Sequence, residues 1–189
     1  TRDSDLLMVD VALATAAAPT YFPIARVKGI PGGQFVDGGL WANNPSLVGI
    51  NEALRFFVGS DKPYQSFRLL SIASITNNTS WPSGIRRKRS FASWSSKLIN
   101  IIFDAQSQYT RAALEFLVPQ ISPNGKATII DGPDISEDQA RAIDLDKANK
   151  KALDTLERLG HDKGHYWNTH DDIKAFFKSV AAKPIFYTS

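Results

Sequence analysis

The sequence predicts an α/β fold in which a largely parallel central sheet is flanked by helices. Apolar runs of strand length alternate along the chain with longer segments of helical periodicity, a pattern typical of layered α/β proteins. The 189 residues are 43% hydrophobic and 22% charged, which indicates a folded globular chain with enough material for one sizeable core.

The first helices are marked by their composition and their boundaries. Residues 5–18 are rich in helix formers and end at Pro19, whose ring disfavours a helical conformation in the residue before it. A second helix is expected after Asn44, which is placed to cap it, and Pro45, which suits a first turn. Its apolar stripe has spacings of three and four residues and consists of Leu47, Ile50, Leu54 and Phe57.

Three short apolar segments predict strands. Residues 34–36 form the first, which ends at Asp37. Residues 67–76 form a longer apolar run, typical of a central strand that is covered on both faces. Residues 126–130 form the third, and we expect all three strands to belong to one largely parallel sheet.

The second half of the chain predicts three further helices. Residues 94–118 carry a long amphipathic repeat that ends before Pro119. Residues 143–159 are expected to form a helix stopped by Gly160, and residues 171–182 a last short one. The long helix is expected to cover the sheet through an apolar stripe of Leu98, Ile101, Ile102, Ala105, Tyr109, Ala112 and Phe116.

Two linked motifs carry a resemblance to a known family. Residues 14–23 read Ala-Thr-Ala-Ala-Ala-Pro-Thr-Tyr-Phe-Pro, and residues 35–45 read Phe-Val-Asp-Gly-Gly-Leu-Trp-Ala-Asn-Asn-Pro. This pair resembles the patatin-like phospholipase family in order and spacing, and the similarity extends over residues 5–160. The resemblance implies a partial three-layer patatin-like fold, with residues 1–189 as the C-terminal part of a single catalytic domain.

The resemblance also implies a lipid acyl hydrolase, a carboxylic ester hydrolase that uses a Ser-Asp dyad. Asp37 matches the aspartate that acts as base for the serine, while Gly38 and Gly39 are expected to let the backbone turn tightly beside it. The family's serine lies in an upstream Gly-x-Ser-x-Gly motif, which this chain lacks together with the glycine-rich oxyanion loop. We therefore expect a missing N-terminal half of the domain to supply the nucleophile, and this chain alone to be inactive.

A second interpretation keeps the fold without the chemistry. In it the chain is a non-catalytic patatin-like module that binds lipid or a protein partner. An upstream Gly-x-Ser-x-Gly motif would favour the enzyme, and its absence would favour the module.

Side chains near Asp37 are candidate substrate-pocket residues. Tyr21, Phe22 and Trp41 suit an acyl-chain pocket and a hydrophobic core equally well, and both interpretations stay open. Asn43 and Asn44 are interpreted first as helix caps, and the motif match places them beside the active-site turn.

The three histidines raise the question of a metal site or a triad histidine. His161, His165 and His170 cluster in the sequence, but Gly160 and Gly164 argue against a continuous helix face that would fix a metal. We expect a surface loop here. The resemblance requires no histidine, and no run of acidic ligands indicates calcium, so neither a metal nor another cofactor is predicted.

The net charge of +3 is too small for a dedicated nucleic-acid binder. The excess lies largely in Arg86, Arg87, Lys88 and Arg89, which suit either a solvated loop or contact with anionic lipid headgroups. The chain has no cysteine and no apolar run of membrane-spanning length. A cytoplasmic protein with peripheral membrane contact is the simplest expectation.

Overall fold

A computed structural model describes residues 5–75, 90, 94, 96–122, 125–143, 147–178 and 180. The chain divides into two compact units, each with its own contacts. The first comprises Thr1–Gln65 and Thr79–Leu117, and the second comprises Ser66–Asn78 and Val118–Ser189.

The first unit is helical in its described part. Its helices are α1 (Met8–Thr15), α2 (Gly39–Ala42), α3 (Ser46–Phe56) and most of α4 (Ser96–Ile121). Its buried apolar side chains are Ala14, Ala17, Val27, Ile50, Val58 and Leu114. The predicted helices near residues 5–18 and after Asn44 are therefore confirmed, and Ile50 anchors the predicted stripe of α3.

The second unit contains a parallel pair of strands, β1 (Arg68–Ile72) and β2 (Lys126–Ile130). Their register pairs Arg68 with Lys126 and Ile72 with Ile130, and the amide of Ala73 extends the ladder by donating to the Ile130 carbonyl. The predicted α/β class with a parallel sheet is confirmed. The helices of this unit are α5 (Glu137–Ala142), α6 (Lys150–Trp167) and α7 (Asp171–Phe177).

The prediction of a parallel strand at residues 34–36 is wrong. Phe35 forms an isolated antiparallel bridge with Ala25, in which each amide donates to the other carbonyl at 2.9 Å. The turn at Ile30 to Gly33 returns the chain upon itself, and Gly32 takes a left-handed φ of 72° there. A local hairpin-like contact thus uses the backbone groups that a sheet would otherwise need.

Two predicted helix ends are also wrong. Helix α4 passes through Pro119, and the Ser122 amide still donates to Val118 at 3.1 Å. Proline lacks an amide donor and its ring crowds the carbonyl four residues earlier, but the other bonds of this 26-residue helix offset that cost of about 3 kcal/mol. Helix α6 begins at Lys150 and runs through Gly160 and Gly164 to Trp167. A helical glycine costs only about 1 kcal/mol relative to alanine, which the rest of an 18-residue helix outweighs.

Helix α4 has the predicted type but buries another face. Leu114 and Val118 are fully buried and Thr110 is nearly so, whereas Tyr109 and Phe116 of the predicted stripe are 72% and 68% exposed. The helix is apolar on more than one side, so periodicity alone did not single out the buried face.

Some predictions fall outside the described residues, including the basic run Arg86, Arg87, Lys88 and Arg89 and residues 144–146 of the helix predicted at 143–159. A role for the basic run at lipid headgroups stays a prediction. Within the described residues, none of the helices combines the length and apolar character needed to cross a bilayer.

Candidate active site

The two sequence motifs meet at Asp37. The Asp37 amide donates to the Ala17 carbonyl at 2.9 Å, and the Gly38 amide donates to the Thr15 carbonyl at 3.1 Å. The end of α1 therefore holds the Asp-Gly-Gly turn through backbone bonds that do not depend on side-chain identity. Residues of the first motif and of the second thus lie side by side.

The Asp37 carboxylate is oriented by the start of α2. Its Oδ1 accepts a hydrogen bond of 2.6 Å from the Gly39 amide, and the residue is half-buried. The bond satisfies one of the amides that a helix N-terminus leaves without a partner and places a negative charge at the positive end of the helix. Among the described residues, this is the hydrogen bond made by the carboxylate, so Oδ2 remains available to another group.

The two glycines matter for space rather than for conformation. Gly38 has an ordinary right-handed φ of −61°, so the expectation that the turn needs glycine flexibility there is not met. A Cβ on Gly38 would lie 2.9 Å from Thr15 Oγ1, and one on Gly39 would lie 2.9 Å from Asp37 Oδ1. At both positions a side chain would require the neighbouring side-chain oxygen to move.

Asn43 and Asn44 have different roles. Asn44 Oδ1 accepts from the Ser46 amide at 3.1 Å, so it caps α3 from one residue before Pro45, as its sequence position suggested. Asn43 does not cap that helix through its side chain. Its Nδ2 donates to Ser107 Oγ at 3.3 Å, within helix α4.

A residue that the sequence did not single out joins this site. Gln106 of α4 donates from Nε2 to the Leu40 carbonyl at 3.1 Å, and its Oε1 accepts from the Asn43 amide at 3.1 Å. More than sixty positions separate Gln106 from these partners, and a lone glutamine in an amphipathic helix gives no motif to find it by.

The candidate aromatic residues are all on the surface. Tyr21, Phe22 and Trp41 are 48%, 61% and 77% exposed, so none of them serves as a core residue of the described structure. A role in acyl-chain binding stays a prediction for all three. Thr20, just before them, has a φ of 73°, a left-handed conformation that is costly for a β-branched residue.

Comparison with known proteins gives a consistent result. The sequence model of the family described as "Patatin-like phospholipase" matches residues 1–49, which include both motifs. A "cGAMP-activated phospholipase" of Pseudomonas aeruginosa (strain BWHPSA011 / Pa011) is 33% identical over 187 residues, which are 98% of this chain and 53% of the relative. These matches support a place for the chain in the patatin-like phospholipase family.

Further relatives carry the same name or the family's name. The "cGAMP-activated phospholipase" of Vibrio cholerae serotype O1 is 29% identical over 96% of this chain and 52% of its own length. "Patatin-like protein 2" of Arabidopsis thaliana is 34% identical over 34% of this chain and 17% of its own length. The chain thus spans about half the length of the two relatives from Pseudomonas aeruginosa and Vibrio cholerae. No solved structure matches it.

The histidines lie away from Asp37 in the sequence and belong to the second unit. The expectation of a loop is wrong for His161 and His165, which lie one turn apart on α6 with parallel rings 6.4 Å between centroids. They border a groove of about 460 Å³ whose other lining residues are Leu70, Ile72, Ile130, Gly164, Trp167, Asn168, Ile173 and Phe177. In the described part of this patatin-like chain, no three His, Asp or Glu side chains converge as metal ligands.

Proposed function

We propose that this protein is a lipid acyl hydrolase in which Asp37 is the general base of a Ser-Asp dyad. The observation that carries the proposal is the fixed carboxylate: Oδ1 is held by the Gly39 amide at 2.6 Å while Oδ2 is available to a hydroxyl. A base works only if its oxygen is held within hydrogen-bond reach of the proton that it removes.

This geometry supports the following proposed reaction. Oδ2 of Asp37 takes the proton of a serine hydroxyl as the serine oxygen attacks the acyl carbonyl, and the proton passes to the leaving alcohol when the ester bond breaks. Water, deprotonated by the same carboxylate, then attacks the acyl carbon; the bond to the serine oxygen breaks, the serine oxygen takes the proton back from Asp37, and the fatty acid is released. Phospholipids are the proposed substrates because the two relatives that match nearly all of this chain are named phospholipases.

The nucleophile is proposed to lie in a part of the protein beyond these residues. The 189 residues contain no Gly-x-Ser-x-Gly sequence. Since the chain matches about half of its relatives' length, the other half has room for the serine and its oxyanion loop. The half that would carry the serine is therefore the proposed partner of the turn at Asp37.

Replacement of the base tests the proposal. In the intact protein, Asp37→Asn keeps the shape of the turn but cannot accept the proton, so kcat on a p-nitrophenyl ester should fall roughly 10²–10⁴-fold. Full activity with an unchanged circular dichroism spectrum would sink the assignment. A protein that binds phospholipid vesicles but hydrolyses no ester, even before mutation, would instead support the non-catalytic module.

We also propose that the activity is switched on by cGAMP. The support is that two relatives named for this activation match 98% and 96% of the chain. Ester hydrolysis by the intact protein should therefore rise on addition of cGAMP. Equal rates with and without a saturating concentration of cGAMP would contradict this proposal and leave the Asp37 assignment untouched.

A further inference from the structure

We infer that Gln106 is a positioning residue that holds helix α2, and through it the Asp37 carboxylate, in its working orientation. The inference rests on the proposed function of Asp37. It concerns a side chain in the middle of α4, outside residues 1–49 that match the family model.

The side-chain amide of Gln106 binds the C-terminal end of α2 with both of its polar atoms. Nε2 donates to the Leu40 carbonyl and Oε1 accepts from the Asn43 amide, each at 3.1 Å. A primary amide offers one donor and one acceptor side by side, which matches a backbone carbonyl and amide three residues apart. Of the side chains close in size to glutamine, glutamate supplies only the acceptor at neutral pH and methionine supplies neither bond.

Helix α2 needs such an external partner. It has four residues, Gly39 to Ala42. A single turn does not stabilise itself, because nucleation fixes several dihedral angles for very few hydrogen bonds. None of its four residues is fully buried, and Leu40 and Trp41 are 38% and 77% exposed, so packing holds it only weakly. The Gln106 bonds are therefore a main restraint on this turn.

The same turn carries the group that orients the base. Gly39 is the first residue of α2, and its amide donates the 2.6 Å bond to Asp37 Oδ1. A tilt of α2 therefore moves the donor and, with it, the carboxylate. Asn43 adds a second link to the same helix, from Nδ2 to Ser107 Oγ at 3.3 Å. Two successive residues of α4 thus fix the segment that follows the base.

The test compares two glutamines of α4 in the intact protein. Gln106→Met removes both bonds at nearly constant volume, and we expect kcat on a p-nitrophenyl ester to fall roughly 10- to 100-fold, the order of loss for a misplaced catalytic group. KM should change less than about twofold, since the substrate contacts are retained. Gln108→Met is the matched control: Gln108 is exposed on the same helix, so this variant should keep wild-type kcat.

A second variant at Gln106 and a double-mutant cycle with Asp37 complete the test. Gln106→Glu keeps the acceptor for the Asn43 amide and loses the donor to Leu40, so its kcat should lie between wild type and Gln106→Met, and it serves if Gln106→Met fails to fold. In an Asp37→Asn background, Gln106→Met should cause no further loss of the residual rate.

The outcomes separate the two proposals. Wild-type kcat in both Gln106 variants, with Asp37→Asn inactive, overturns the positioning role alone. A loss in the Asp37→Asn background equal to that in the wild type also overturns it, because Gln106 would then act independently of the base. An active Asp37→Asn protein overturns the proposed function itself.

Discussion

The backbone amide of Gly39 lies 2.6 Å from Oδ1 of Asp37 and donates to it, although the two residues are only two positions apart. A glycine at position 39 leaves room for this short bond, since a Cβ would lie 2.9 Å from the same oxygen. The orientation of the Asp37 carboxylate therefore depends on the residue at position 39.

Gly39→Ala should separate folding from catalysis. The new methyl group meets a carboxylate, which can rotate away at little cost to stability, but the rotation breaks the bond that orients Asp37, the proposed base. We expect kcat to fall by about 10²-fold, with a melting temperature close to that of the wild type. Steady-state kinetics and thermal denaturation of the same preparation measure both quantities.

Gly49→Ala is the matched control for that substitution. Gly49 lies inside α3, and a Cβ there meets open space. The variant should gain about 0.5–1 kcal/mol of stability, because alanine loses less backbone entropy than glycine in a helix, and it should keep full activity. If Gly39→Ala is as active as Gly49→Ala, the carboxylate orientation does not limit the rate.

Asn44→Ala should destabilise the start of α3. The Asn44 side chain accepts from the Ser46 amide at 3.1 Å, so its loss leaves that amide without this partner and should cost about 1 kcal/mol. Asn51→Ala makes the same change on the exposed surface of α3, where alanine is the better helix former. Urea denaturation that ranks Asn44→Ala as no less stable than Asn51→Ala would contradict the capping role.

Gly132→Ala should be harmful in the second unit. Gly132 follows β2, and a Cβ there would overlap the backbone carbonyl oxygen of Ser74, which follows β1. Backbone cannot rotate away as a side chain can, so we expect a loss of roughly 1–3 kcal/mol. Gly160→Ala, which meets open space within α6, should instead stabilise the protein. Equal melting temperatures for the two variants would rule out the close approach.

Lowering the pH should remove the contribution that the ionised Asp172 makes to the free energy of unfolding. The hydrogen bond from Lys126, whose Nζ lies 3.2 Å from Oδ2, lowers the pKa of Asp172 below its ordinary value of 3.8. A folded-state pKa below the unfolded value means that the contribution is complete above the unfolded pKa. It is then lost as the pH falls through the lower, folded pKa.

The Asp172→Asn variant measures this effect. The melting temperature of wild type should exceed that of the variant at pH 6, and the difference should shrink as the pH falls below 4 and as salt is added. Asp171→Asn removes a neighbouring carboxylate that is 91% exposed and lies 3.8 Å from Lys174, so it should show a smaller difference. A wild-type advantage that stays constant down to pH 2 would contradict the assignment.

Sequence patterns predicted the kinds of element better than their ends. The strands at β1 and β2 and the helices α1, α3 and α4 were found because composition and periodicity are local properties. Pro119 and Gly160 predict helix ends, but both lie inside a helix, because the many bonds of a long helix offset costs of about 3 and about 1 kcal/mol. Helix α5 escaped prediction although Ser136 and Gln139 form a capping box, a signal that is visible in the sequence.

The candidate site was also predicted only in part from the sequence. Asp37 and its glycines were found through a motif, whereas the role of Gly38 and Gly39 in clearing space became visible only in three dimensions. Gln106 could not be predicted, because its partners are backbone groups and any residue can supply those. Long-range bonds between a side chain and the backbone leave no pattern in a single sequence.

Helix α1 has a practical consequence for every experiment on this chain. Met8, Val9 and Leu13 are 88%, 59% and 63% exposed, and only Ala14 of the helix is buried. Exposed apolar surface of this kind promotes self-association and adsorption to plastic and to detergent micelles. Solutions of the isolated chain should scatter more light as they are concentrated, and replacing Met8 and Leu13 with lysine should reduce that turbidity.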